Sequence, residues 1–270
     1  MTRFRLLMAI FCSLHLSVPG CTWAIDFGII KPISQLTGED YSYGIDFLFF
    51  TRLAEGELRL VETGEPDVLR AELIGRTLGI ASWLAGDRTQ TYSSLMRLLP
   101  DGSLDSIEHV SQIRKKRWGK WTNRVKIRSF DYERGKITEE KFKEGVLSST
   151  KLHDIPDGQH PVDVLTAFYN LRAGIYGPLQ RGTKILIPTY SRKGFIDFEV
   201  RILTVEEQAS QDYFPDHGLL VQVKVDPEIF ETNSGSLYVW FDKLGVPGRG
   251  IVEDLIGLGD VRGYLDKEGK

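Results

Sequence analysis

The sequence has almost no cysteine. Its only two cysteines, Cys12 and Cys21, lie within the first 24 of the 270 residues. A chain that loses this segment has no disulfide bond and no thiolate chemistry. An oxidising compartment permits disulfides without requiring them, so their absence does not argue against export.

Long apolar runs are also missing. The run at residues 6–18 has thirteen residues, and no later stretch reaches 18 apolar residues. A membrane-spanning helix needs roughly 20. We therefore predict that the body of the protein has no transmembrane helix.

Catalytic motifs are equally scarce. The chain has no Gly-x-Ser-x-Gly elbow and no glycine-rich phosphate loop with its lysine. His153, Asp154, Asp157 and His160 share one loop, but their spacing matches no named zinc site. We predict a non-enzymatic protein with no cofactor and no metal.

Excess positive charge is absent as well. The net charge is −3, and it becomes −5 without the first 24 residues, which contain Arg3 and Arg5 and no acid. A mildly acidic protein has no global attraction for nucleic acid or anionic membranes. We predict no nucleic-acid partner, and any binding of anionic lipid has to come from a local patch.

The N-terminus has the three parts of a secretory leader. Arg3 and Arg5 precede the apolar run, and Pro19-Gly20 ends it. A run this short is typical of a signal peptide. We predict a signal peptide at 1–24 with a mature start at Ile25, and hence a location in the periplasm or cell envelope. The alternative is an outer-membrane lipoprotein with Cys21 lipidated.

Several segments alternate with period two, which is the pattern of strands with one buried face. The clearest are 69–73, 124–128, 196–202 and 219–225. Four glycine-containing segments, at 54–57, 100–103, 133–136 and 191–194, have the composition of hairpin turns. These patterns predict a mainly β fold, an antiparallel meander that forms a curved sheet or open β-barrel.

One central helix is predicted at about 163–173. Val164, Phe168 and Leu171 share a face, Asp163 can cap the N-terminus, and Gly174 can end the helix. We predict a single β-rich domain at 25–265. The helix and the loop before it can divide this domain into halves at 40–150 and 176–265.

Residues 160–172 read His-Pro-Val-Asp-Val-Leu-Thr-Ala-Phe-Tyr-Asn-Leu-Arg. This segment resembles the central signature of domain of unknown function 3108, an uncharacterised bacterial envelope family, and the resemblance extends over most of 40–262. It implies a periplasmic or cell-surface location and a curved antiparallel sheet like those of lipoprotein-carrier proteins. It implies no established reaction. Asp163 and Arg172 are the family-like polar positions. We expect structural roles for them, as a helix cap and as a partner of a sheet carbonyl or carboxylate.

A basic aromatic stretch at 113–128 is the most distinctive local feature. It interleaves Trp118 and Trp121 with eight cations, namely Arg114, Lys115, Lys116, Arg117, Lys120, Arg124, Lys126 and Arg128. As a strand, it places the last three cations in one row. We favour a solvated row paired with acids of the next strand. The alternative is a binding site formed by Arg124, Lys126, Arg128, Trp118 and Trp121 for an anionic lipid or glycolipid.

The leading functional hypothesis is an exported envelope protein that binds an amphiphilic ligand or an envelope protein partner on its curved sheet. One alternative is a structural or assembly factor without a small-molecule site. Another is a hydrolase of cell-wall polysaccharide, although acids that are neighbours in sequence, such as Asp226 and Glu228, do not by themselves indicate a shared cleft.

Overall fold

The computed structural model describes residues 29–79, 82, 86–117, 119–191, 194–224, 235–254 and 259–266. The predicted signal peptide at 1–24 lies outside these residues, and so does Trp118. None of the helices in the described part of the chain is long and apolar enough to cross a membrane.

The alternating segments become strands of one sheet. The bounds are β1 Asp40–Phe47, β2 Phe50–Glu62, β3 Val68–Thr77, β4 Arg88–Leu98, β5 Leu104–Arg117, β6 Lys120–Asp131, β7 Lys136–Lys143, β8 Val146–Asp154, β9 Lys184–Ser191, β10 Gly194–Ile202, β11 Leu219–Lys224, β12 Ser236–Phe241, β13 Pro247–Val252 and β14 Val261–Leu265. Three helices accompany them: α1 Ile33–Leu36, α2 Val164–Arg172 and α3 Val205–Ala209.

The strands are ordered β8-β7-β6-β5-β4-β3-β2-β1-β14-β13-β12-β11-β10-β9. Two meanders, β1–β8 and β9–β14, are therefore joined along β1 and β14, and the pairing at this joint is antiparallel. The end strands β8 and β9 are not paired with each other within the described sheet, so the sheet is not closed. The predicted mainly β meander with one central helix is confirmed.

Two of the predicted turns, at 100–103 and 133–136, connect β4 to β5 and β6 to β7. The turn at 191–194 lies between β9 and β10, but residues 192–193 are outside the described part. The turn predicted at 54–57 is wrong, because this segment lies inside β2 and the true turn is at Leu48 and Phe49. Gly56 is paired with Tyr43 on one side and with Gly75 on the other, and these ladders override the local turn composition.

Helix α2 packs on the concave face of the sheet, between its two halves. Leu165 and Tyr169 belong to a core cluster with residues of β2, β3 and β4, whereas Ala167 and Leu171 belong to a cluster with β9 to β12. Because α2 is covered on both sides, its few polar side chains are forced into contact with the sheet.

The register identifies which side chains share the concave face with α2. Directly paired residues of neighbouring antiparallel strands lie on the same face of a sheet. Leu73 packs against the α2 cluster and is paired with Tyr92, which is paired with Ser111. Ser111 is paired with Lys126, and Lys126 with Lys141. All five side chains therefore lie on the concave face.

Candidate binding site

A cavity of about 490 Å³ lies on the concave face beside the N-terminal end of α2. One wall is cationic and is formed by β6 and β7, which contribute Arg124, Lys126, Arg128, Lys141 and Lys143. The lining also includes apolar and aromatic side chains from both halves of the sheet and from α2, namely Tyr92, Val164, Tyr190 and Phe198. The cavity thus combines a charged wall with an apolar one.

The cationic wall places like charges directly opposite each other. Arg124 is paired in register with Lys143, and Lys126 with Lys141. Such pairs destabilise a sheet, because their side chains are only about 5 Å apart at Cβ. Within the described residues, neither Arg124 nor Lys143 forms an ion pair. Arg124 and Lys143 therefore give this wall positive charge that no ion pair within the described residues offsets.

One buried acid, Glu139, forms ion pairs with two cations of this wall. Glu139 accepts a hydrogen bond from Nε of Arg128 at 3.0 Å and lies 3.0 Å from Nζ of Lys141. Burial acts to raise the pKa of Glu139, but the contacts with Lys141 and Arg128 and the charge of Lys126 outweigh it and lower the pKa. Glu139 is therefore an ionised anchor for Arg128, which also lies over the Tyr190 ring.

The predicted row of Arg124, Lys126 and Arg128 exists, and its expected exposure holds for Arg124 but not for Arg128. Arg124 is exposed and Arg128 is buried, and all three face the cavity rather than the outside of the sheet. The apolar side chains of Val125 and Ile127 point to the opposite face instead. The favoured pairing with acids holds for Arg128, whereas Arg124 faces another cation.

The structure separates Trp121 from that row. Alternation along β6 puts Trp121 on the convex face, where Arg114 and Lys116 lie 5.3 and 5.6 Å from its ring. The two parts of the predicted site are therefore on opposite sides of one sheet. Trp118 lies outside the described residues.

Asp163 closes the cavity at the start of α2. Its carboxylate accepts hydrogen bonds from the backbone N–H groups of Leu165 and Thr166 at 2.9 and 3.2 Å, which makes it the N-cap. It also accepts from the hydroxyls of Ser94 at 2.6 Å, Ser106 at 2.7 Å and Thr166 at 2.6 Å. The cap therefore also fastens the helix to β4 and β5.

His109 completes this network. Its Nδ1 lies 2.9 Å from Oγ of Ser94 and 3.3 Å from Oδ1 of Asp163. Burial acts to raise the pKa of Asp163. The charge and hydrogen bond of His109, with the hydrogen bonds of Ser94 and Thr166, outweigh burial and hold that pKa well below its usual range. Asp163 is thus ionised although it is fully buried.

Ser94, His109 and Asp163 do not have the arrangement of a hydrolytic triad. In a triad the serine contacts one ring nitrogen and the acid contacts the other. Here both oxygens approach the same Nδ1, and the buried Ser94 hydroxyl donates to Asp163 itself. The geometry suits a structural lock between helix and sheet.

Sequence reasoning missed the polar partners of Asp163. Ser94 and Ser106 occupy inward positions of strands in which Met96 and Leu104 are buried apolar neighbours. Asn170 on α2 is also a buried polar residue. Its amide makes two 2.8 Å hydrogen bonds with the backbone N–H and C=O of Leu104. Polar residues at positions where the period-two pattern calls for apolar ones were the available signal.

Arg172 fastens the other end of α2. Its guanidinium makes a bidentate contact with Glu39 at 2.6 and 2.8 Å, and it donates to the carbonyl of Gly245 at 3.0 Å. Burial acts to lower the pKa of Arg172, but Glu39 outweighs it and raises that pKa. The completely buried Arg172 therefore links α2 to the segment before β1 and to the turn between β12 and β13.

The polar loop at 153–160 does not gather its side chains. His160 lies 2.5 Å from Asp105 and stacks on Tyr132, whereas Asp154 pairs with Lys136. In the part of the chain that the structure describes, no three His, Cys, Asp or Glu side chains come together as metal ligands.

The profile of one protein family, described as protein of unknown function DUF3108, matches residues 41–257. The chain belongs to this family. The predicted resemblance is confirmed, and the matched DUF3108 range includes α2 and every side chain of the cavity wall. No curated protein matches the chain.

A solved structure also resembles the DUF3108 chain. It is the crystal structure of a β-barrel-like protein of domain of unknown function DUF1849 from Brucella abortus. The two chains are 10% identical, and the match covers 84% of this chain and 95% of that one with a TM-score of 0.46.

Proposed function

We propose that this DUF3108 protein binds an anionic amphiphile on its concave face and catalyses no reaction. The observation that carries the proposal is a cavity with five cations on β6 and β7 and apolar side chains around it. The anionic group would lie against the cations, and the apolar part would lie along Val164 and Phe198.

The size and lining of the cavity support a small-molecule ligand. Its volume of about 490 Å³ falls within the range of roughly 300–1,000 Å³ that is typical of ligand pockets. Arg124 and Lys143 are exposed, whereas Val164 lies at the start of the buried helix. This order favours a ligand whose charged end stays near solvent while its apolar end enters the fold.

The like charges of the wall support an anionic ligand in particular. Arg124 opposite Lys143 costs stability in the empty protein, and a bound phosphate or carboxylate would turn this repulsion into attraction. A protein without such a ligand would gain stability by replacing either residue with a neutral one.

Neutralising Arg124 and Lys143 should weaken the binding of an anionic ligand and should raise the stability of the ligand-free protein. We expect dodecyl phosphate to bind the wild-type protein and the uncharged head group of dodecyl maltoside to bind much more weakly. The double variant R124Q/K143Q should lose at least about tenfold in affinity for dodecyl phosphate, because hydrogen bonds to charged groups contribute roughly 1.5–3 kcal/mol each. The ligand-free K143Q variant should gain about 0.2–1 kcal/mol in free energy of unfolding, because the repulsion is removed.

Isothermal titration calorimetry below the micelle concentration and urea unfolding measure these two effects. The control is R114Q/K116Q, which removes the same charge from the convex face of β5. Equal binding of both detergents, or an equal loss of affinity in the control, would contradict the proposal.

We also propose that the protein is exported and acts in the periplasm or cell envelope. The support is the leader pattern at 1–24. Intact-mass analysis of protein purified from its own cells should show a chain that begins at Ile25. A diacylglycerol-modified Cys21 would select the lipoprotein alternative, and a mass that retains 1–24 would refute export.

A further inference from the structure

One end of the sheet carries exposed apolar side chains at a hairpin tip. The turn between β1 and β2 consists of Leu48 and Phe49, and Phe50 follows as the first residue of β2. Phe49 is 94% exposed, and Leu48 is 53% exposed. Burial within the part of the chain that the structure describes therefore does not explain why these three residues are apolar.

The backbone of this tip makes the choice of residues more unusual. Leu48 has a φ of 54°, a left-handed conformation that favours glycine or asparagine. Hairpin turns of this kind usually take polar or glycine residues for that reason. Leucine at this position is a cost to the fold, which suggests that its side chain has a use outside the fold.

A second tip at the same end is basic and aromatic. In a meander, β1 and β5 run in the same direction, so the β1–β2 and β5–β6 turns share one end of the sheet. The β5–β6 tip presents Trp121, half exposed, between Arg114 and Lys116, with the exposed Lys120 beside it. Three strand spacings of about 4.8 Å separate β2 from β5 along the sheet, so one surface can contact both tips.

We infer that this end of the sheet docks on the surface of an anionic bilayer. Phe49 and its neighbours enter the boundary between head groups and acyl chains, while Arg114, Lys116 and Lys120 lie against anionic head groups. Apolar side chains that project from a tip beside cations suit the interface of an anionic bilayer. There each Lys or Arg near the surface contributes about 1 kcal/mol of attraction. A flat protein surface offers no depth for Phe49 to enter.

The docked orientation would also bring the cavity to the membrane. Arg124 and Lys143 lie at the β6 and β7 ends nearest to these tips. The inference itself does not require that the cavity bind a ligand, because it depends on side chains outside the cavity.

Vesicle co-sedimentation tests the inference. The purified protein should bind vesicles of phosphatidylglycerol mixed with phosphatidylcholine and should bind pure phosphatidylcholine much less. F49S should reduce binding by about tenfold, since it removes a large apolar side chain from the interface. K116Q/K120Q should reduce it by about fivefold per cation at low salt, and high salt should reproduce that loss.

Matched controls lie at the opposite end of the sheet. L152S removes a 63% exposed apolar side chain from β8, and R134Q/K136Q removes two cations from the β6–β7 hairpin; both should leave binding unchanged. R124Q/K143Q should lose less vesicle binding than K116Q/K120Q, which separates docking from the cavity. The inference would be overturned by an absence of wild-type binding, by undiminished binding of F49S, or by a loss confined to R124Q/K143Q. A photo-crosslinker at position 49 that captures a defined envelope protein instead of lipid would overturn it as well.

Discussion

Replacing Arg172 with leucine will lower the free energy of unfolding by about 3–5 kcal/mol, because it leaves a buried carboxylate without its cation. The side chain of Arg172 is completely buried, and that of Glu39 is only 10% exposed. Both guanidinium nitrogens that face Glu39 are within 2.8 Å of its oxygens. Urea unfolding followed by tryptophan fluorescence measures the loss.

Graded variants keep this prediction testable if the leucine variant does not fold. R172K retains the charge but loses the bidentate fork, so it should fall between the wild type and R172L. The control is R76L, which breaks the partly exposed contacts of Arg76 with Glu57 and Glu55 and should cost no more than about 1 kcal/mol. An R172L protein as stable as R76L would show that the pair does not hold the helix.

Replacing Asp163 with alanine should cost more than about 3 kcal/mol, because several buried donors lose their acceptor at once and each costs roughly 1–3 kcal/mol. The carboxylate accepts from the hydroxyls of Ser94, Ser106 and Thr166, and it caps α2. D163N should cost less, because one amide oxygen remains to accept the backbone N–H groups.

The matched control is T204A in α3. Thr204 is also an N-cap, with a capping box completed by Glu207, but it is not the centre of a buried network. T204A should cost about 0.5–2 kcal/mol. If D163A cost no more than T204A, Asp163 would be a helix cap and nothing further.

The dependence of the free energy of unfolding on acidic pH tests whether Asp163 is charged in the folded protein. Its pKa is lower in the folded protein than in the unfolded chain, where the usual value is about 3.9. The stabilisation is therefore complete above the unfolded value and is lost as the pH falls below it. We expect wild-type protein to lose stability more steeply than D163N from pH 5 downwards, by up to about 1.4 kcal/mol per pH unit. Parallel pH profiles would show that Asp163 is not charged in the fold.

The meander and its helix were predictable because their signals are local. Alternation in 196–202 and the Asp163 cap each depend on a few neighbouring residues. The direction in which β6 faces was not predictable in the same way. Val125 and Ile127 look like the buried side of an amphipathic strand, yet the register with β5 and β7 turns Arg124 and Lys126 inward. An open cavity lets these cations remain solvated on the concave side, so hydrophobicity alone gives the wrong face.

The contacts that fasten α2 to the rest of the fold were only partly predictable from the sequence. Asp163 and Arg172 stood out in the sequence, but their partners did not, because Glu39, Ser94 and Gly245 are far away along the chain. The sequence-based fold expectation had no means to pair residues 133 positions apart, as Arg172 and Glu39 are. Buried polar residues in otherwise apolar strands mark such pairs only after the sheet order is known.

At the seam between β8 and β9, the described sheet is held by side chains and by the segment before α2 rather than by a strand ladder. Within the described sheet these two end strands are not paired with each other, and the small cluster of Phe130, Ile137 and Tyr190 lies near the gap. The segment before α2 holds β9 through the hydrogen bonds of Val162 with Pro188 and Tyr190, so α2 and β9 would move together. Widening the seam would slide side chains past one another without breaking the ladder between any two strands. Under the proposed function, the charged wall would select the head group of the ligand, and a joint of this kind would let the interior accept tails of different lengths.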